Sequence, residues 1–215
     1  MPMPRFHKLI LFCCCLFALH ANAQHPGYKQ ISNTDDFRQQ FAKASQATHS
    51  IQCDFVQEKN LSMLSDKIVS TGKFWFKREN KVRMEYQKPT YYLLVINGNM
   101  IKTKDNQKEN KVSSKSNKMF EQVNKMMIDC VQGTVLSNSS FTARVYENAS
   151  SYLVELLPTV KSLQNIFKSI DLVIDKKDYS ALKMEMWEQS GDNTIITFTH
   201  KQMNINISDE VFSVN

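Results

Sequence analysis

The stretch that most constrains this chain runs from Gly72 to Asp105, where turn residues recur at short intervals. They are Arg78-Glu79-Asn80, then Lys88-Pro89, then Asn97-Gly98, and an Asn-Gly pair between apolar runs is the strongest short-range hairpin signal. Between them, β-branched and aromatic residues crowd Lys73–Phe76, Val82–Tyr86, Tyr91–Ile96 and Met100–Thr103, the composition of short strands. The stretch predicts an antiparallel meander of four strands.

One of these strands alternates: Val82, Met84 and Tyr86 share a face, Arg83 and Glu85 the other, as period-two geometry requires. Phe74-Trp75-Phe76 and Tyr91–Ile96 are instead apolar on both faces, so both sides of the sheet must be covered or must cover something. A sheet with more apolar surface than its own core needs is a candidate ligand surface.

Residues 1–23 read as a cleavable targeting segment: Arg5 and Lys8 before an apolar run Leu9–Leu19 too short to span a bilayer, then Ala21-Asn22-Ala23 for a signal peptidase. The mature chain is expected to begin at Gln24, with residues 24–215 as a single domain. The net charge of +6 loses two positives with that segment. The remaining basic residues, densest over Lys102–Lys118 and at Lys176-Lys177, read as solvated strand edges rather than a nucleic-acid surface.

Three of the five cysteines leave with residues 1–23, and Cys53 and Cys130 remain in a compartment where disulfides form. They are candidates either for a bridge tying lid to sheet or for two small buried apolar residues.

Thr34-Asp35-Asp36-Phe37 looks like a helix start, with Thr34 as N-cap and Phe37, Phe41, Ala44 and Thr48 as an apolar stripe laid across the sheet. A strand is expected over Ser50–Lys59 and another from Ile68 into the meander. Residues Asn106–Asn117 are polar and charged, and read as a hairpin tip and loop. In the helix after it, Met119, Phe120, Val123, Met126, Met127, Cys130 and Val131 recur at spacings of three and four, up to Gly133. With 11 methionines in the chain, that stripe suits either plain core or an adaptable ligand surface. Strands follow at Phe141–Glu147, Tyr152–Leu157, Ile166–Ile174, Ala181–Glu188, Asn193–His200, Met203–Ile207 and near Val211–Val214, the rhythm of an all-β sandwich or barrel.

Motifs for chemistry are missing. His25, His49 and His200 lie in three settings with no second ligand at metal spacing, and the chain has five glycines and no phosphate loop or G-x-S-x-G. Asp171, Asp175, Glu185 and Glu188 sit on the polar sides of alternating strands, where solvated charge is expected. No catalytic residue, metal or cofactor is predicted, and no enzymatic activity.

Gly72-x-Phe74-x-Phe76-Lys77-Arg78, the step to Tyr86, Pro89, the apolar run ending in Asn97-Gly98 and the strand closing at Lys104-Asp105 together resemble periplasmic lipoprotein carriers of the LolA type. Cys53-Asp54-Phe55-Val56-Gln57 resembles the family's first strand, and Gly191–Thr194 through Asn204 to Phe212 its final hairpin and last strand. The resemblance covers most of the chain after residue 34.

It implies a mainly β fold with an α lid, an unclosed antiparallel half-barrel of about 11 strands around a hydrophobic cavity. The function it implies is that of a periplasmic chaperone carrying lipoproteins from the inner to the outer membrane of a Gram-negative cell. Acyl chains would be the cargo contact, an inner-membrane ABC-type transporter the loading partner, and an outer-membrane acceptor or that membrane itself the destination; the carrier is expected to be monomeric. Two alternatives share the fold: a carrier of another lipid or acylated small molecule, and a lipid-responsive protein-binding module. Candidate cavity residues are Phe74, Trp75, Val82, Met84, Tyr86, Leu93, Leu94, Phe120, Val123, Met126, Met127, Leu172, Met184 and Met186. Arg78 matches the family's arginine that bonds lid backbone in the empty state, although Glu79 follows where the family usually has proline.

Overall fold

The computed structural model describes residues 25–78, 80–113, 125, 126, 128–130 and 133–214. The targeting segment therefore lies outside the described residues, as do Phe120, Val123 and Met127.

Twelve strands form one antiparallel sheet: β1 (Lys29–Gln30), β2 (Ser50–Asn60), β3 (Ile68–Lys77), β4 (Lys81–Lys88), β5 (Tyr92–Asn97), β6 (Met100–Asp105), β7 (Glu109–Ser113), β8 (Phe141–Glu147), β9 (Ser151–Pro158), β10 (Phe167–Asp175), β11 (Ala181–Glu188) and β12 (Asn193–Met203). Their order is β1-β8-β9-β10-β11-β12-β2-β3-β4-β5-β6-β7. Two meanders, β2–β7 and β8–β12, are thus joined by the β12–β2 pairing, and the sheet stays open between β1 and β7, as the half-barrel reading requires.

The meander is where the turn residues placed it. Gly98 takes φ +56° in the two-residue turn between paired Asn97 and Met100, a conformation that glycine adopts without a Cβ penalty. Gly72 answers a different need: a Cβ there would stand 2.0 Å from the carbonyl oxygen of Glu85 and 2.8 Å from the Phe55 ring.

Sequence and structure differ at several elements, among them the unexpected short strand Lys29–Gln30 and helix Lys161–Gln164. Residues 109–113, expected in a loop, form the edge strand β7, because the polar run supplies partners for β6: Lys102, Lys104 and Lys111 gather within 4 Å of Glu109. Residues 193–203 are one strand rather than two, continuing through a bulge between Thr199 and Gln202 where His200 takes φ +52°. Residues 209–212 form a 3₁₀ turn instead of a strand, with Ser208 Oγ accepting from the backbone N–H of Glu210.

Both faces of the sheet are covered, which accounts for strands apolar on both sides. On the inner face lie Cys53, Phe55, Phe74, Phe76, Val82, Met84 and Ile96. On the outer face the chain after β12 folds back, and Ile207 and Phe212 pack with Leu93, Val95 and Trp75. At the other end of that face sits the N-terminal arm, where Tyr28 packs with Tyr146, Leu153 and Val173 and its hydroxyl meets Ser151 Oγ at 2.7 Å.

Helix α1 (Asp35–Ala47) crosses the inner face and buries Phe37 and Phe41, their rings stacked 5.5 Å apart. Asp35 and Asp36 occupy its first turn, where the helix dipole favours them. Thr34 does not cap it; its hydroxyl oxygen accepts from Arg38 Nε at 3.0 Å, while Asn33 Oδ1 accepts from the Asp35 N–H.

Candidate functional site: an apolar cavity under helix α1

Between the inner face and α1 lies a cavity of about 280 Å³. The sheet contributes Phe74 from β3, Val82, Met84 and Tyr86 from β4, Leu94 from β5, Leu172 from β10, and Met184 and Met186 from β11. Phe41, Ala44 and Thr48 close it from α1, joined by Met126 and Cys130. The wall is apolar because period two sends these residues inward and their polar neighbours, such as Arg83 and Glu85, outward.

Two candidates fall elsewhere. Trp75 and Leu93 face the outer side and pack with the C-terminal segment, since each is one residue out of step with Phe74 and Leu94. Register decides this, and a one-residue shift exchanges faces.

The two cysteines are not bonded to each other. Cys53 and Cys130 are free thiols, both buried and both lining the cavity, and burial pushes each up to about 12. Burial also pushes Tyr86 up to about 12, with Tyr92 adding to it; its hydroxyl donates to Gln57 Oε1 at 2.8 Å, so this phenol in the wall is satisfied.

Sequence reasoning missed several lining residues. Ile51 and Ile196 follow their strands' alternation and were findable from it. Lys201 and Met203 were not. The bulge after Thr199 inserts one residue, so that Gln202 rather than Lys201 opposes Gln52, and the inward set switches from Phe198 to Lys201 and Met203. Lys201 Nζ donates to Ser180 Oγ, and with Asp178 these make the cavity's polar edge.

Arg78 joins sheet to helix. Its Nε donates to the Thr48 carbonyl at 2.8 Å and its Nη2 to the Ser45 carbonyl, which also accepts from the Thr48 N–H, at the end of α1. A cation also suits the negative end of the helix dipole. Ser45 is pressed from the other side by Gly133 at φ +71°, where a Cβ would lie 2.3 Å from the Ser45 hydroxyl oxygen. The end of α1 over the cavity is thus held between a guanidinium and a glycine.

A second cluster departs from the expectation of solvated carboxylates at Asp171. Glu155 and Asp171 are buried on the outer face at 2 % and 7 % exposure, and His25 lies against both. Burial pushes the Asp171 carboxyl up to about 6; His25 opposes the shift, and Glu155 and Glu185 add to it. Alternation placed Asp171 on the polar side of its strand but could not show that the N-terminal arm covers it and Glu155.

The model of the family "Outer membrane lipoprotein carrier protein LolA" matches residues 46–215. No curated protein matches the chain in sequence. Among solved structures, an uncharacterized conserved protein from Thermus thermophilus is 9 % identical with a TM-score of 0.51, over 84 % of this chain and 93 % of that one. A LolA superfamily protein from Nitrosomonas europaea is 8 % identical (TM-score 0.44; 82 % and 97 % covered), and the Mycobacterium tuberculosis lipoprotein LppX 11 % identical (0.45; 81 % and 100 %). With the matched segment running from the end of α1 through every strand of the cavity wall, the chain belongs to the LolA family.

Proposed function

We propose that this protein is a periplasmic carrier of acylated cargo, with lipoproteins as the first candidate, taking them from an inner-membrane ABC-type transporter to an outer-membrane acceptor or to that membrane directly. The observation that carries the reading is the apolar cavity closed by a helix whose end is held by two hydrogen bonds from Arg78. Exposing a methylene to water costs about 0.8 kcal/mol, so a lipid anchor crosses an aqueous space only if sheltered. Phe74, Val82, Met84, Tyr86, Leu94, Met126, Leu172, Met184 and Met186 would shelter it. Arg78 would latch the empty state and let go on loading.

Small-ligand pockets span roughly 300–1,000 Å³, and at about 280 Å³ this cavity takes part of one chain rather than a multi-chain anchor. Loading therefore requires α1 to move, and the latch is where that motion is resisted.

The test is titration of the delipidated protein with a fluorescent acyl probe, followed by displacement with a triacylated lipopeptide. Saturable probe binding that the lipopeptide competes away is expected. A folded protein that binds no probe sinks the carrier reading, whereas probe binding that lipopeptide cannot displace leaves a carrier of another lipid. Mass spectrometry of material co-purified from native periplasm then identifies the guest.

A further inference from the structure

Strands β9, β10 and β11 set three carboxylates in a row on the outer face: Glu155 opposite Asp171, and Asp171 opposite Glu185. Like charges directly opposite destabilise a sheet, so each needs an offset. Glu155 Oε2 accepts from the Tyr146 hydroxyl at 3.2 Å and lies 3.4 Å from Arg144 Nη1. Glu185 accepts from Lys183 Nζ at 3.1 Å and Asn193 Nδ2 at 3.0 Å. Asp171, between them and buried, has an Oδ1 with no hydrogen-bond partner. His25 from the N-terminal arm stands over the gap, with Nδ1 3.6 Å from Asp171 Oδ2 and Nε2 3.6 Å from Glu155 Oε1, and that Nε2 is buried and unpartnered too.

Those two contacts use opposite ring nitrogens, of which a single cation can take only one. A hydrogen bond from a ring N–H spans about 2.7–3.2 Å, and neither contact is that short. Donors sharing a divalent cation at about 2.0–2.2 Å in tetrahedral array stand about 3.4 Å apart. One donor atom each of His25, Glu155 and Asp171 lies within 4.8 Å of the other two, so closing in to that spacing would complete three ligands.

We propose that His25, Glu155 and Asp171 form a binding site for a divalent transition cation of the zinc class, on the face of the sheet opposite the apolar cavity. One imidazole nitrogen with two carboxylate oxygens suits zinc better than calcium or magnesium, which take all-oxygen shells and keep water that a buried site has little room for. The surroundings orient the ligands as metal sites require: the Tyr146 ring lies edge-on to the imidazole at 4.6 Å, and its hydroxyl holds Glu155. The cation would pin the N-terminal arm, which joins β8 through the short stretch Lys29–Ile31, onto the far half of the sheet. It does not depend on the carrier reading.

The experiment uses the full secreted protein, stripped with EDTA, dialysed, and titrated with Zn²⁺ by calorimetry alongside thermal melts. One equivalent bound, a higher melting temperature with Zn²⁺, and a loss of affinity of at least about tenfold in both His25→Ala and Asp171→Asn are expected. Cooperative thermal melts of those variants show that they are folded. Wild-type protein that melts cooperatively yet takes up no saturable Zn²⁺, or variants that bind it as wild type does, would overturn the site. Equal competition by Ca²⁺ would overturn the assignment to the zinc class.

Discussion

Arg78 gives its hydrogen bonds to the Ser45 and Thr48 carbonyls at the end of α1, the helix that moves on loading in the carrier proposed above. Bonds to a charged donor contribute about 1.5–3 kcal/mol when buried, and a half-exposed pair gives less. Whatever they contribute stabilises the closed empty state and opposes loading. Arg78→Leu should therefore leave a folded protein that binds the acyl probe more tightly, by roughly tenfold for about 1.4 kcal/mol of lost latch energy, and hands it to vesicles more slowly. Probe titration and stopped-flow transfer measure both; unchanged affinity and transfer rate would leave Arg78 as a helix cap and nothing more.

At the scale of elements, the segment after β12 works as a lid for the outer face. It has no strand partner, yet Phe212 is fully buried, and Arg83 Nη1 and Asn97 Nδ2 donate to the Val211 and Phe212 carbonyls at 3.1 and 3.2 Å. Lys77 and Lys81 reach Asp209 at 2.7 and 3.0 Å, but exposed pairs of this kind contribute little. The aromatic anchor should dominate. Phe212→Ala is expected to cost about 3–5 kcal/mol, read as a lower urea midpoint, and to expose Leu93, Val95 and Trp75 to a hydrophobic dye. A loss near the surface-residue range of about 0.5 kcal/mol would mean that the segment is not part of the folded unit.

For the molecule as a whole, the open sheet is what makes a guest possible. A small closed barrel is filled by its own side chains or holds one small ligand, whereas here two meanders meet at β12–β2 and leave the inner face to be covered by a helix. Filling the void should then abolish binding without unfolding the chain. Ala181 lines the cavity beside its polar edge, and Ala181→Trp is expected to reduce probe affinity at least about tenfold with the melting temperature held within a few degrees. Unchanged affinity in that variant would place the acyl site elsewhere.

Much of this was legible in the order of residues. Turn chemistry at Asn97-Gly98 and alternation along Val82-Arg83-Met84-Glu85-Tyr86 placed the meander, because both depend on neighbours within a few residues. The apolar excess on both faces of Phe74–Phe76 and Tyr91–Ile96 announced two coverings, and there are two. Local pattern could not say that one covering is the chain's own C-terminal segment, which is why Trp75 and Leu93 were assigned to the cavity. Nor could it count the extra residue at the β12 bulge that turns Lys201 inward, or bring His25 over Glu155 and Asp171 from the far end of the chain. The sequence by itself determined most of the strands, the helix stripe and the family resemblance; the tertiary structure alone decided which face of the doubly apolar strands lines the cavity. The physical reason is that periodicity is a property of neighbours, whereas register, coverage and charge burial arise from contacts between residues remote along the chain.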